Sequence, residues 1–368
     1  MGKVLVIVPR SERDNMDELL ALLDTAGYDP VHIVPVRSEN YISRSKLNEI
    51  EYLLGETDVD RIVFYGNPKP SIVSRLMKVT GKDVIDRTLL ILEIFKMHAG
   101  SKEAKIQIEL ARLKHIIPLV RELVRRKRMG EMPGFMGPGM YDVEKYYRHI
   151  KARITRLRRE LTRIKTRREI MRRNRRGIPS VAIVGYASAG KTSLFNKLTG
   201  EAKPVGEEYF TTLQTKHKSV KFKGRKIVFI DTVGFIRNVP PEIIEAFHAT
   251  LEETASSDLI IFVLDVSEPF EKVMQKLDAG LSVLSRIDAD TIPLVIALNK
   301  IDRARASNVR RVREELDSIV YLETYNISAV IEVSALTGWN LDRLMDTVYT
   351  EISRDESLEG EEIIAYGA

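Results

Sequence analysis

Short apolar runs alternate with amphipathic stretches over the first 97 residues. "KVLVIV" (3–8) reads as a buried strand, "DELLALLDTAG" (17–27) as a helix ending at Gly27, and "PVHIVPV" (30–36) as a second strand. "SKLNEIEYLL" (45–54) is again helical and "DRIVFYG" (60–66) again strand-like. Repeated strand–helix alternation predicts a small parallel α/β sheet. Nothing in this block has the pattern of a phosphate loop or a catalytic constellation, so it reads as a recognition or scaffold domain.

The period then changes. Ile106, Leu110, Leu113, Ile117, Val120 and Val124 recur at alternating spacings of four and three. Val143, Tyr147, Ile150, Ile154, Leu157, Leu161 and Ile164 follow the same rule, which is that of a heptad seam. Between them, "MGEMPGFMGPGM" (129–140) is rich in Gly, Pro and Met. Glycine and proline stop helices, so residues 98–177 predict an antiparallel two-helix coiled-coil arm with a flexible tip. The second helix, about 35 residues long, would reach on the order of 50 Å. Pro118 predicts a kink in the first. From residue 178 strands and helices alternate again to residue 354, and the acidic stretch 355–368 predicts a frayed tail.

Composition narrows the class. The chain has 368 residues, 44% of them hydrophobic, enough for two or three packed domains. No apolar run approaches the roughly 18 residues that span a bilayer, and the five apolar residues near the start are too few for a signal peptide. The absence of cysteine excludes disulfides, a thiol nucleophile and a thiolate metal site. The expectation is a soluble, cytoplasmic, monomeric protein with no membrane partner.

Charge changes the picture of the arm. Residues 101–176 hold 24 Lys/Arg against 8 Asp/Glu, whereas the rest of the chain is net acidic. With the seam facing inward, the arginines of "RITRLRRELTRIKTRREIMRRNRR" (153–176) must cover the outside. A solvated helix face usually mixes signs. A dense surface of one sign repels itself until a polyanion neutralises it, and the planar guanidinium suits phosphate. Nucleic acid is the favoured partner, ahead of an acidic protein or membrane surface and of plain solvation.

The chemistry lies in the third block. "VAIVGYASAGKTS" is a strand followed by Gly185, Tyr186, Ala187, Ser188, Ala189, Gly190, Lys191, Thr192 and Ser193, then an amphipathic helix. Glycines let backbone N–H groups curl around phosphate at a helix N-terminus. Lys191 would reach the β- and γ-phosphates, and the Thr192 hydroxyl would ligate Mg²⁺. Within "YFTTLQTK", Thr212 is the candidate for a second metal-binding hydroxyl and a γ-phosphate contact, with Thr211 close behind. "KIVFIDTVG" ends a buried strand at Asp231, a metal ligand directly or through water, and Gly234 would bond the γ-phosphate. "PLVIALNKID" ends another in Asn299, Lys300 and Asp302. The Asp302 carboxylate accepts from guanine N1–H and the exocyclic amine, a pair that adenine cannot supply. Ser334, Ala335 and Leu336 of "IEVSALTG" would back the O6 side of the base. In this order the motifs predict a P-loop GTPase domain binding GTP or GDP with Mg²⁺.

With these residues in view, the chain resembles the HflX family of ribosome-associated GTPases. The resemblance extends to "DRTLLILEIFKMHAGSKEAKIQIELARLKH" (86–115), "GPGMYDVEKYYRHIKARI" (137–154) and "DTVGFIRNVPPEIIEAFHATLEE" (231–253). It implies an N-terminal α/β domain, a two-helix arm and a GTPase domain that binds the large ribosomal subunit and dissociates or rescues ribosomes. Ribosomal RNA then becomes the arm's polyanion. The chain departs from the family at Ser188, where an asparagine linked in related GTPases to a stimulatory potassium ion is usual. It departs again at Met140 and Tyr141, where the family usually continues "GPGET".

Phe235 stands where many nucleotide switches carry a glutamine that aims the attacking water. A phenyl ring cannot hydrogen-bond water, which predicts slow intrinsic hydrolysis accelerated by a docked partner. The competing reading is an RNA-binding scaffold that uses GTP as a switch without turnover.

Overall fold

In the computed structural model, residues 2–128, 143–173, 178–201, 216–232, 234–235, 254–317 and 325–365 are described. They divide into two compact units, one extending to Arg168 and the other from Glu169 onward.

The first unit is built on a four-stranded, all-parallel sheet, ordered β2-β1-β3-β4, from β1 (Gly2–Pro9), β2 (Tyr28–Val36), β3 (Arg61–Phe64) and β4 (Asp83–Asp86). Val4 to Val8 of β1 are all buried, as expected of a central strand covered on both faces. Helices α1 (Met16–Thr25), α2 (Arg44–Glu56), α3 (Pro70–Thr80) and α4 (Arg87–His98) supply that cover. Local chemistry sets their ends. The Ser43 hydroxyl accepts from Lys46 N at the start of α2, Pro70 opens α3, and Asp86 accepts from Leu89 N (2.8 Å) at the start of α4.

Two long helices follow, α5 (Lys102–Arg128) and α6 (Val143–Arg173). The residues of the seam meet in one cluster, with Ile106, Leu110, Leu113 and Val120 of α5 against Ile150, Ile154 and Leu157 of α6. Lys102 pairs with Glu160 (2.6 Å), and the Arg121 side chain donates to the Tyr147 hydroxyl (2.9 Å), so the near end of one helix lies beside the far end of the other. The helical backbone of α5 passes through Pro118.

Packing continues across the boundary expected at residues 97/98. Helix α5 also lies along α3 and α4, and Leu119 packs against the core of the N-terminal sheet. His115 bonds Asp86 (2.6 Å) and Arg126 reaches the Ser71 carbonyl (3.3 Å). The first helix of the expected arm is therefore a packed member of the N-terminal unit. The heptad pattern marks the face toward α6 and is silent about the second face.

The second unit has a six-stranded sheet, ordered β10-β9-β8-β5-β7-β6. Its strands are β5 (Ser180–Gly185), β6 (Lys216–Phe222), β7 (Arg225–Asp231), β8 (Leu259–Asp265), β9 (Leu294–Asn299) and β10 (Ile327–Glu332). All pairs are parallel except the β6–β7 hairpin at one edge. The helices are α7 (Lys191–Thr199), α8 (Phe270–Ser285), α9 (Ala306–Leu316) and α10 (Leu341–Ala365). Helix α10 runs through residues 355–365, where composition alone predicted fraying. Leu, Glu and Ala are good helix formers and carry the backbone on despite Gly360.

Candidate functional site

The four parallel strands β5, β7, β8 and β9 end on one edge of this sheet, and their last residues make the site. Strand β5 delivers Gly185 into the loop 186–190, and α7 begins at Lys191. Gly185 (φ 144°) and Gly190 (φ 94°) hold conformations that favour glycine. A β-carbon on the first would strike the Val263 carbonyl, and on the second the Asn299 side-chain amide. Ser188 adopts a left-handed φ of 60° without being glycine.

Lys191 is only 7% exposed, and its Nζ donates to the Tyr186 carbonyl (2.6 Å). Burial lowers its pKa to about 8. Asp231 opposes that shift, while Lys276 and Lys300 add to it. The Thr192 hydroxyl donates to Asp231 Oδ2 at 3.2 Å, and Asp231 is completely buried. Two oxygen donors thus meet beside the start of α7, a set suited to a hard divalent cation that draws its other ligands from phosphate and water.

The segment after Asp231 lies directly against the loop. A β-carbon at Gly234 would stand 2.9 Å from Ala187 Cα and N and from Lys191 Nζ. Phe235 N donates to the Gly185 carbonyl and Ala187 N to the Phe235 carbonyl, each at 2.9 Å, a two-bond parallel bridge. The Phe235 ring is 6% exposed, edge-on to Tyr186 (centroids 6.3 Å apart) and tilted on Phe262 (6.1 Å). Gly280 in α8 leaves room for this, since a β-carbon there would enter the Phe262 ring and approach Phe235 within 3.4 Å. Phe235 is a core residue here, holding the segment after Asp231 to the sheet.

The other end of the edge is organised by Asn299. Its Nδ2 donates to the Ala189 carbonyl (2.8 Å) and its Oδ1 accepts from Ala335 N (2.9 Å), so one buried amide ties the phosphate loop to the loop after β10. Lys300, at a left-handed φ of 65°, pairs with Asp265 (2.6 Å). Ser334 Oγ donates to Asp302 Oδ1 (2.5 Å) and accepts from Thr337 N (3.2 Å), which fixes the carboxylate's orientation. Leu336 is 63% exposed. Trp339, the chain's single tryptophan, is half-exposed and accepts from Ser334 N through its carbonyl (3.2 Å).

The fold therefore gathers residues 185–193, Asp231, Gly234, Asn299, Lys300, Asp302 and Ser334–Leu336 along one sheet edge, Ser193 being in the first turn of α7. Thr212 and Thr211 lie outside the described residues. Asp265, Phe262, Gly280 and Lys276 went unmarked in the sequence. Lys276 sits over the Tyr186 ring (5.7 Å) and pairs with Glu268. No short motif contains these residues. Only the buried strand "LIIFVLD" (259–265) hinted at Phe262 and Asp265.

A second surface with a chemical signature is on the other unit. Lys145, Arg148, Lys151, Arg153, Arg156, Arg158, Arg159 and Arg163 of α6 are all exposed, and Glu160 among them is engaged by Lys102. Among the described residues, no helix is long and apolar enough to cross a membrane.

Residues 180–300 match the family described as 50S ribosome-binding GTPase. Residues 98–175 match GTP-binding GTPase Middle Region, and residues 13–96 GTP-binding GTPase N-terminal. A relative from Hyperthermus butylicus, named GTPase HflX, is 48% identical over 356 residues, covering 94% of this chain and 95% of its own. The GTPase HflX of Thermococcus kodakarensis is 38% identical, covering 92% of this chain and 78% of its own. Among solved structures, the complex of SsGBP with GDP aligns over 96% of this chain and 99% of its own, at 32% identity and a TM-score of 0.57.

Proposed function

The chain belongs to the HflX family of GTPases, and from that premise we propose that its GTP cycle times docking on the large ribosomal subunit. The docked protein dissociates or rescues ribosomes. The observation that carries the nucleotide half is the contact of Gly234 with Ala187 and Lys191, which sets a switch segment against the phosphate loop's lysine. A γ-phosphate arriving at Lys191 must displace that segment, so the presence of the third phosphate becomes a change of backbone position.

Each residue then has a task. Loop amides from Gly185 to Ser193 and the Lys191 ammonium bind the phosphates and oppose the charge that develops on them during transfer. Thr192 and Asp231, with Thr212, would hold Mg²⁺, which supplies charge neutralisation between the β- and γ-phosphates. Asp302, oriented by Ser334, reads guanine, with Lys300, Ala335 and Leu336 around the base. Asn299 keeps the phosphate and base loops at a fixed spacing. Phe235 gives the attacking water no hydrogen bond, so turnover waits on a partner that reorders the segment.

The partner half rests on charge. The exposed arginines and lysines of α6 form a one-signed face within a basic two-helix arm (101–176) that suits ribosomal RNA. The family description of residues 180–300 points the same way. The protein works as a cytoplasmic monomer. A GTP-dependent RNA scaffold with negligible turnover is the second reading, and the burial of Phe235 favours it.

The test is phosphate release from GTP with and without purified large subunits from the same organism. Stimulation, on the scale of the 10³–10⁵-fold that trans-acting partners of other GTPases reach, is the expected result. Tight GTP binding with no stimulation would leave the scaffold reading standing and remove the partner-gated enzyme.

A further inference from the structure

Outside the arm, positive charge is dense in the β6–β7 hairpin. Residues 177–368 hold 21 basic and 29 acidic residues, yet 216–226 contain 6 of those basic residues, none of the acidic ones, and His217. Edge strands often carry lysines that deter pairing with another chain. That duty explains β6, which is the sheet's edge, but not Lys226 on the inner strand β7.

The register sharpens the point. Lys221 stands directly opposite Lys226, and in an antiparallel pair opposite residues share a face. Both are exposed, as are Ser219 and His217 on the same face of β6. Like charges directly opposed destabilise a hairpin, and neither lysine forms an ion pair among the described residues. Three of the other four basic side chains hold the hairpin. Lys223, at a left-handed φ of 47° in the turn with Gly224 (φ 83°), pairs with Asp346 (2.7 Å) and lies over the rings of Phe222 and Tyr349. Arg225 bonds Ser353 (3.3 Å) and Lys218 pairs with Glu201 (3.2 Å). The scaffold is anchored to α10 while two opposed ammonium groups are left facing solvent.

We propose that the Lys221/Lys226 face of this hairpin is a second RNA-contacting surface, separate from α6, whose phosphate contacts relieve the opposed charges. The inference rests on the reading of the chain as a ribosomal RNA binder. It adds a functional consequence, because β6 begins only four residues after Thr212. RNA seated on the hairpin would bear on the switch threonine from its C-terminal side and couple docking to turnover.

The experiment compares the full-length protein with Lys221→Gln/Lys226→Gln for association with purified large subunits, and with the RNA extracted from them, between 50 and 200 mM salt. Loss of two phosphate contacts should lower the slope of log K against log salt by about 1.5 and the affinity by about tenfold on both targets. Subunit-stimulated phosphate release should fall, while basal release and melting temperature hold. Ser219→Glu, which adds a negative charge to the same face, should weaken binding by a similar amount and guards against misfolding of the double variant. An unchanged slope and affinity in both variants, with wild-type binding intact, would overturn this inference alone. A loss seen on subunits but not on extracted RNA would assign the face to a protein partner and overturn it as well. Failure of the wild-type protein to bind either target would remove the ribosomal reading and this inference together.

Discussion

Both units lay helices over a sheet that is parallel apart from one edge hairpin in the second, and the carboxyl ends of the parallel strands differ in how their charges are spent. At the N-terminal sheet, Arg87 after β4 turns back onto Glu18 (2.5 Å), with each side chain about 10% exposed. Asp86 divides its carboxylate between Leu89 N and His115, and Gly66 after β3 lies under the Glu39 side chain. Opposite charges there satisfy one another. At the second sheet, the most buried cation among the described residues, Lys191, donates to a neutral carbonyl, and two further lysines stand near enough to lower its pKa. The architecture is shared. A binding edge is made by charge that the fold itself leaves incompletely answered.

Three experiments test this contrast. The largest effect is expected from Asp302→Asn, because a site built to hydrogen-bond one base rejects a mismatched one by about 10⁴–10⁵-fold. GTP affinity should collapse toward that limit while xanthosine triphosphate binding appears, measured by nucleotide titration. Unchanged GTP affinity would remove Asp302 as the base reader.

Next is Glu18→Ala, which removes the carboxylate that faces the buried Arg87 guanidinium. Breaking one side of such a pair costs about 3–5 kcal/mol. Denaturant unfolding should show that loss in the N-terminal unit, with the dissociation constant for GDP unmoved. A GDP constant that shifts with the N-terminal unit would show that the two edges are not independent.

The smallest effect is a pH dependence. Free Lys191 titrates at about 8, below its ordinary 10.5, because burial disfavours its charge. Bound phosphates favour the charged form and raise that value, so the complex holds more protons than its parts above about pH 8. Affinity for GDP should be level below that pH and fall as pH rises toward 10.5, approaching tenfold per unit. Lys191→Arg, which does not titrate in this range, should flatten the slope. An equal slope in that variant would assign the proton to another group.

How much of this was legible in the sequence depends on range. The phosphate loop, Asp231 and the Asn299–Asp302 stretch are local patterns ending buried strands, and a local reading finds them. The seam of α5 and α6 was legible because its heptads face a single partner. Helix α4 was not, since Arg87, Thr88, Leu90, Ile91, Leu92, Ile94 and Phe95 are all buried and leave no polar stripe to give a period. The second packed face of α5 was hidden for a similar reason. The two bonds of Asn299 join residues 110 and 36 positions away. The place of Phe235 in the core depends on a missing side chain at Gly280, which no motif near residue 235 announces.

Trp339 carries one further consequence, an optical one. It is the single indole in 368 residues, half-exposed, and its carbonyl takes the N–H of the serine that orients Asp302. Every photon of tryptophan emission from this chain therefore originates on the loop whose Ser334 bonds Asp302. The molecule carries its own fluorophore on that loop, a built-in reporter with which to test nucleotide exchange on unlabelled protein with unlabelled nucleotide.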